Sequence, residues 1–200
     1  MKIGAIDFKT ELSILSAIRK EYSSNDIELR VDANGAFKPS EAIDKLNRLS
    51  QYDIHSIEQP IQQHQMQEMA SICETTPIPI ALDEELIGIF DSTLKNKMLQ
   101  IIKPQYIILK PSLIGGFKGS QEWIDLAKTM NIKWWVTSAL ESNIGLNAIA
   151  QWTYTLKNHL PQGLGTGSLF TNNFESPLEV SNGRLYYHQK RNFNIQMISL

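Results

Sequence analysis

Four charged residues close four apolar runs at nearly constant spacing. Val31-Asp32, Ile57-Glu58, Leu82-Asp83 and Leu109-Lys110 each end such a run, at intervals of 26, 25 and 27 positions. Taken singly, Asp32, Glu58 and Asp83 are ordinary turn carboxylates. Taken as three on consecutive units in constant phase, they read as one site. Carboxylates brought together repel, and each is costly to desolvate. A hard divalent cation removes that repulsion, and all-oxygen ligation with open positions suits magnesium, or manganese in its place. Lys110 reads either as a snorkelling lysine or as a cation beside the metal that steadies negative charge or moves a proton. Lys2, in Lys2-Ile3-Gly4, stands one strand before Asp32 in the same phase. Alone, it is a surface lysine.

The elements that must position these residues alternate along the chain. The run from Ile27 to Val31 alternates apolar and polar residues and stops at Asp32-Ala33-Asn34-Gly35, a turn-forming sequence. Similar runs lie at Ile54–Glu58, Ile78–Asp83, Tyr106–Lys110 and Ile132–Ser138. Between them, apolar residues recur with helical spacing: Leu12, Leu15 and Ile18; Ala42, Ile43, Leu46 and Leu49; Met66, Met69, Ala70 and Cys73. A less regular segment spans Phe90 to Leu99, and further stripes run from Trp123 to Met130 and from Ile144 to Leu156. Strand–helix alternation argues for a parallel sheet covered by helices. Both a βα barrel and a doubly wound sheet have such a period, but only the barrel converges side chains from every strand end. Charge on four consecutive ends therefore favours the barrel. Ser138-Ala139-Leu140-Glu141-Ser142 and Gly163-Leu164-Gly165-Thr166-Gly167 fall at the next two strand ends. Their hydroxyls and backbone N–H groups could receive a substrate carboxylate. From there the period is lost, and Asn182-Gly183 predicts a hairpin turn.

Other polar residues read more plainly. Glu84 and Glu85 are expected to be solvated or to stand behind the ligands. Trp134 and Trp135 are expected in the core, His55 within a strand, and Cys73 buried and inert on a helix stripe. His64, His159 and His188 lack metal-ligand spacing. In 200 residues, 42% are hydrophobic and 20% charged, enough for a substantial core. A net charge of −2, with no basic run, gives no case for nucleic-acid binding. A single cysteine fits a reducing, cytoplasmic setting. Neither a run of about 20 apolar residues nor a signal-peptide form is present, so no membrane partner is expected.

Together these residues resemble the enolase superfamily, and within it the muconate-lactonizing subgroup. That subgroup carries Lys-x-Lys on one strand, three acidic magnesium ligands on the next three, then a second lysine. The matching residues are Lys2, Asp32 in Val31-Asp32-Ala33-Asn34, Glu58 in Ile57-Glu58-Gln59-Pro60, Asp83 in Leu82-Asp83-Glu84, and Lys110 in Leu109-Lys110-Pro111-Ser112. Arg30-Val31-Asp32-Ala33-Asn34-Gly35-Ala36-Phe37, the Ser138–Leu146 stretch and the Gly163–Gly167 stretch resemble the o-succinylbenzoate synthase branch. The resemblance implies a TIM-like (β/α)7β barrel and a dehydration of 2-succinyl-6-hydroxy-2,4-cyclohexadiene-1-carboxylate in menaquinone biosynthesis. It implies Asp32, Glu58 and Asp83 as ligands of Mg2+ or Mn2+, and Lys2 and Lys110 as catalytic residues about a magnesium-stabilised enediolate. It implies Ser138, Gly165 and Thr166 against the small-molecule carboxylate substrate.

The chain departs from the pattern at its front. In the family pattern the first lysine of Lys-x-Lys, the first strand and helix, and the capping domain would precede residue 1, and this sequence does not contain them. Residues 1–170 are therefore expected to form a barrel incomplete at its N-terminal edge. Residues 171–200 are expected to form a tail that returns toward the cap. Such a piece is expected to have little activity alone, and its open sheet edges leave homo-oligomer formation open. The rival readings are a dipeptide epimerase or N-succinylamino acid racemase on the same scaffold, a catalytically idle barrel fragment, and an unrelated α/β binding protein.

Overall fold

Short apolar runs become strands here, and each of the first five strands is followed by a helix whose apolar stripe packs inward. A computed structural model describes residues 1–193. Five strands, β1 (Leu29–Asp32), β2 (Ile54–Glu58), β3 (Ile80–Leu82), β4 (Tyr106–Leu109) and β5 (Lys133–Val136), form one sheet in the order β1-β2-β3-β4-β5. The β1–β2, β2–β3 and β3–β4 pairs are parallel. The helices are α1 (Phe8–Glu21), α2 (Pro39–Leu49), α3 (Met66–Thr75), α4 (Ser92–Ile102), α5 (Gly116–Thr129) and α6 (Asn143–Thr155). Two compact units result. One comprises Met1–Ile108 with Glu122–Trp134, the other Leu109–Gln121 with Trp135 onward.

In the first unit the core lies along the strands. Ile57, Ile80, Leu82 and Ile107 are fully buried, as are Leu46 and Leu49 of α2. Burying such a side chain is worth about 1.5–3 kcal/mol. Helix starts follow local chemistry. The Asp7 carboxylate accepts from Thr10 N at 3.1 Å to begin α1, and Asp91 accepts from Leu94 N at 2.9 Å to begin α4. Lys95 of α4 is a buried charge among the helices. Lys95 Nζ lies 2.8 Å from Glu122 Oε2 and 5.4 Å from the Trp123 ring centre. The β1–β2 register jumps from Leu29↔Ile54 to Arg30↔Ser56, which makes His55 the extra residue of a β-bulge. The bulge aims its ring at Tyr106, 5.0 Å away. Cys73 is buried, and burial pushes its thiol up to about 12, out of reach of thiolate chemistry.

In the second unit Thr137 N donates to Leu109 O at 2.9 Å. Gly163 N donates to Val136 O at 2.8 Å and Ser138 N to Gly163 O at 3.0 Å. The chain makes a single parallel bridge here, Thr137↔Gly163, where the sequence suggested a strand end. Helix α5 starts at Gly116, ahead of the Trp123 stripe, and Phe117 stacks on Trp152 at 5.1 Å. Strands β6 (Leu178–Ser181) and β7 (Arg184–Tyr187) pair antiparallel. Their turn has positive φ at Asn182 (50°) and Gly183 (70°), as a two-residue hairpin requires. Residues 194–200 of the expected tail lie outside the described residues. Among the described residues, no helix is long and apolar enough to cross a membrane.

Candidate active site

The parallel register places the proposed acidic residues on one face. Asp32 is the direct Cα partner of Glu58, and Glu58 is the partner of Ala81. Asp83 lies two residues beyond Ala81, and alternate residues of a strand share a face. The three therefore keep one pleat phase across β1, β2 and the end of β3. Glu58 and Asp32 are half-buried and Asp83 is buried.

Lys2 is brought to this row by backbone pairing. Ile3 N donates to Asp32 O at 2.8 Å and Asp32 N to Met1 O at 3.0 Å, a parallel bridge of Lys2 to Asp32. The buried Glu11 of α1 accepts from Gly4 N at 2.6 Å, which holds the turn behind it. The Lys2 ammonium donates to Asp32 Oδ2 and, at 2.6 Å, to Asn34 Oδ1. Asn34 Nδ2 in turn donates to Glu84 Oε1 at 2.9 Å. The Met1 amine is pushed below its ordinary basicity by burial, against the pull of the Asp32 and Glu58 carboxylates. The Lys2 ammonium thus stands at the head of this acidic row.

Buried polar groups fix the strand ends. Gln59 Oε1 accepts from Asp83 N at 3.2 Å and Glu85 N at 3.3 Å. Its Nε2 donates to Ile61 O at 3.0 Å and Glu85 Oε2 at 3.2 Å. Glu85 Oε1 accepts from His64 N at 3.1 Å. The turn after β1 needs Gly35. Its φ is +75°, and a Cβ there would stand 2.9 Å from Gln62 Cα.

The donor set and the pleat phase fit a hard divalent cation. The side chains have not converged on one, however. Among the described residues no three His, Cys, Asp or Glu groups stand ready to hold a metal ion, and Asp32 is turned onto Lys2.

A profile of the enolase C-terminal domain-like family matches residues 1–191. The chain belongs to that family. It is 57% identical over 185 residues to the o-succinylbenzoate synthase of Desulfotalea psychrophila, covering 92% of this chain and 50% of that protein. It is 26% identical over 160 residues to the L-Ala-D/L-Glu epimerase of Bacillus subtilis, covering 79% of this chain and 43% of that protein. The crystal structure of MenC from Desulfotalea psychrophila superposes with a TM-score of 0.88 at 55% identity, over 92% of this chain and 51% of that one. The muconate lactonizing enzyme from Pseudomonas putida superposes with a TM-score of 0.83 at 24% identity, over 92% and 51%, and shares the fold. The fold is therefore that of the enolase-superfamily barrel portion, a parallel sheet with helices. The chain spans about half the length of the curated relatives it matches.

The remaining residues expected from the family pattern lie in the second unit. Lys110 follows β4 and is half-buried. Ser138 Oγ and Thr166 Oγ1 are 2.7 Å apart, so these two are brought together. Gly165 is exposed beside them in sequence. Glu141 accepts from Ser112 Oγ and, at 2.9 Å, from Ala139 N, which joins the loops after β4 and β5.

Sequence reading assigned no role to Gln59, Glu11 or Glu141, and treated Asn34 only as a turn residue. Their partners are remote in sequence or set by turn geometry, and no local pattern announces them. Glu84 and Glu85 are separated by the structure. Glu85 is 3% exposed and supports the β2 and β3 ends, whereas Glu84 bonds Asn34.

Proposed function

We propose that this chain carries the metal-binding and proton-transfer half of an o-succinylbenzoate synthase-type lyase. The observation that carries the reading is the common pleat phase of Asp32, Glu58 and Asp83, with Lys2 held at the head of the row. The 57% identity to a protein named o-succinylbenzoate synthase supports the choice of reaction.

Asp32, Glu58 and Asp83 would hold Mg2+ or Mn2+. When bound, the ion supplies positive charge against a substrate carboxylate whose α-proton is being removed. The Lys2 amine, in its neutral form, takes that proton. The C–H electron pair moves toward the carboxylate and then expels the hydroxyl group from the neighbouring carbon. Lys2 returns the proton to the departing hydroxyl, so that water leaves and the ring becomes aromatic. Asn34 keeps the Lys2 side chain aimed along the row. Lys110 is proposed as the second lysine, a fixed cation that opposes the developing negative charge. Ser138, Gly165 and Thr166 are proposed to receive the substrate's polar groups. Residues 1–170 are proposed as the barrel portion and residue 171 onward as a C-terminal extension.

The test is a choice between substrates. The chain is incubated with Mg2+ in D2O, separately with the hydroxycyclohexadiene carboxylate and with an Ala-Glu dipeptide. Slow formation of the aromatic product, in keeping with the little activity expected of such a piece, is expected, without α-deuteration of the dipeptide. Deuteration or inversion of the dipeptide without aromatisation would replace this reading by an epimerase.

A further inference from the structure

We propose that Gln59 is a positioning residue that ties three strand ends together and thereby sets Glu58 and Asp83 for the divalent cation. This rests on the reading of those two carboxylates as cation ligands. Gln59 directly follows Glu58, is fully buried and has φ +37°, a left-handed conformation that non-glycine residues adopt at a cost. Its bonds reach every end of the acidic row. Gly35 N, in the turn after Asp32, donates to Gln59 O at 2.7 Å, and Gln59 N donates to Ala81 O at 2.9 Å. The side-chain oxygen accepts from Asp83 N itself.

The amide is saturated. Its oxygen takes two N–H groups, and its nitrogen gives both hydrogens, one to a carbonyl and one to the Glu85 carboxylate. Reversing it would set NH2 against two donors and oxygen against two acceptors, so only one orientation is allowed. Glutamate has the same shape but lacks both donors and would confront Glu85 with a second negative charge. Leucine fills the space but leaves Asp83 N, Glu85 N and the Glu85 carboxylate without this partner. Either change frees the backbone that aims Glu58 and Asp83. Groups that orient metal ligands in this way typically matter 10–100-fold in affinity.

The test is Mn2+ titration of the 200-residue chain by calorimetry, with thermal unfolding in EDTA alongside. Wild type is compared with Gln59→Leu, Gln59→Glu, Glu85→Gln and Asp83→Ala. The expected result is Mn2+ binding weakened about 10–100-fold in the folded Gln59 variants, a smaller loss in Glu85→Gln, and no binding in Asp83→Ala. Should the Gln59 variants fail to fold, Glu85→Gln decides. A merely structural role would lower the unfolding temperature and leave Mn2+ affinity unchanged. That result, with binding still lost in Asp83→Ala, overturns the proposal and spares the metal site. Absence of Mn2+ binding in wild type overturns both.

Discussion

Lys2 and Asp32 are joined twice, by a parallel backbone bridge and by a side-chain ion pair. The backbone bridge fixes the lysine's phase, and Asp32 and Asn34 together fix its head. The side chain of Lys2 is 68% exposed, so the pair itself adds little stability. Lys2→Met should therefore leave the urea midpoint nearly unchanged. Under the proposed chemistry it should lower dehydration about 10²–10⁴-fold, the usual weight of a general base. Steady-state rates beside equilibrium unfolding check both halves.

Gly35 is needed for conformation and for space. Gly35→Ala would place a Cβ 2.9 Å from Gln62 Cα at φ +75°. A cost of about 1–3 kcal/mol is expected from the backbone strain alone, read as a lower urea midpoint. Gly88, at a similar φ of +80°, has open space around it, so Gly88→Ala should cost less.

The Lys95–Glu122 pair is asymmetric, with side chains 1% and 35% exposed. Removing Glu122 takes the ion-pair partner from an ammonium that is itself fully buried. Glu122→Ala should destabilise by about 2–3 kcal/mol, short of the full cost of breaking a completely buried pair because Glu122 is partly solvated. Lys95→Met with Glu122→Ala should recover much of that loss in thermal unfolding.

Burial holds the His55 imidazole below its ordinary value of 6.5, against the pull of Glu28. The unfolded chain then binds more protons than the folded chain in mild acid. Stability rises with pH through this window, and is lost as pH falls through 6.5 toward the folded-state value. His55→Gln should flatten the stability profile between about pH 7.5 and 5.5, as urea titrations at several pH values would show.

Much of the strand framework was legible because strands buried in a parallel sheet read as short apolar runs, alternating or continuous, closed by a turn residue. Ile54–Glu58 matches its expected bounds, β4 begins at Tyr106 as expected and stops one residue short of Lys110, and the helices fall where the apolar stripes lie. The hairpin at Asn182-Gly183 was legible because a two-residue turn needs positive φ at both positions. The bulge at His55 was not, because an extra residue shows only against the register of β1. The role of Gln59 was illegible for a related reason. A buried polar side chain is tolerated only when distant backbone groups satisfy it, and those partners come together only in the fold. The single bridge at Gly163 likewise depends on where Thr137 lies, and the glycine cluster alone suggested more regular structure.

The central claim is that Asp32, Glu58 and Asp83 share one divalent cation. Its most direct test is calorimetric titration of Mn2+ into the wild-type chain beside Glu58→Gln. One site per chain is predicted for wild type, with affinity at least about 100-fold weaker in the variant. Equal binding by both proteins, or no binding by wild type, would contradict it.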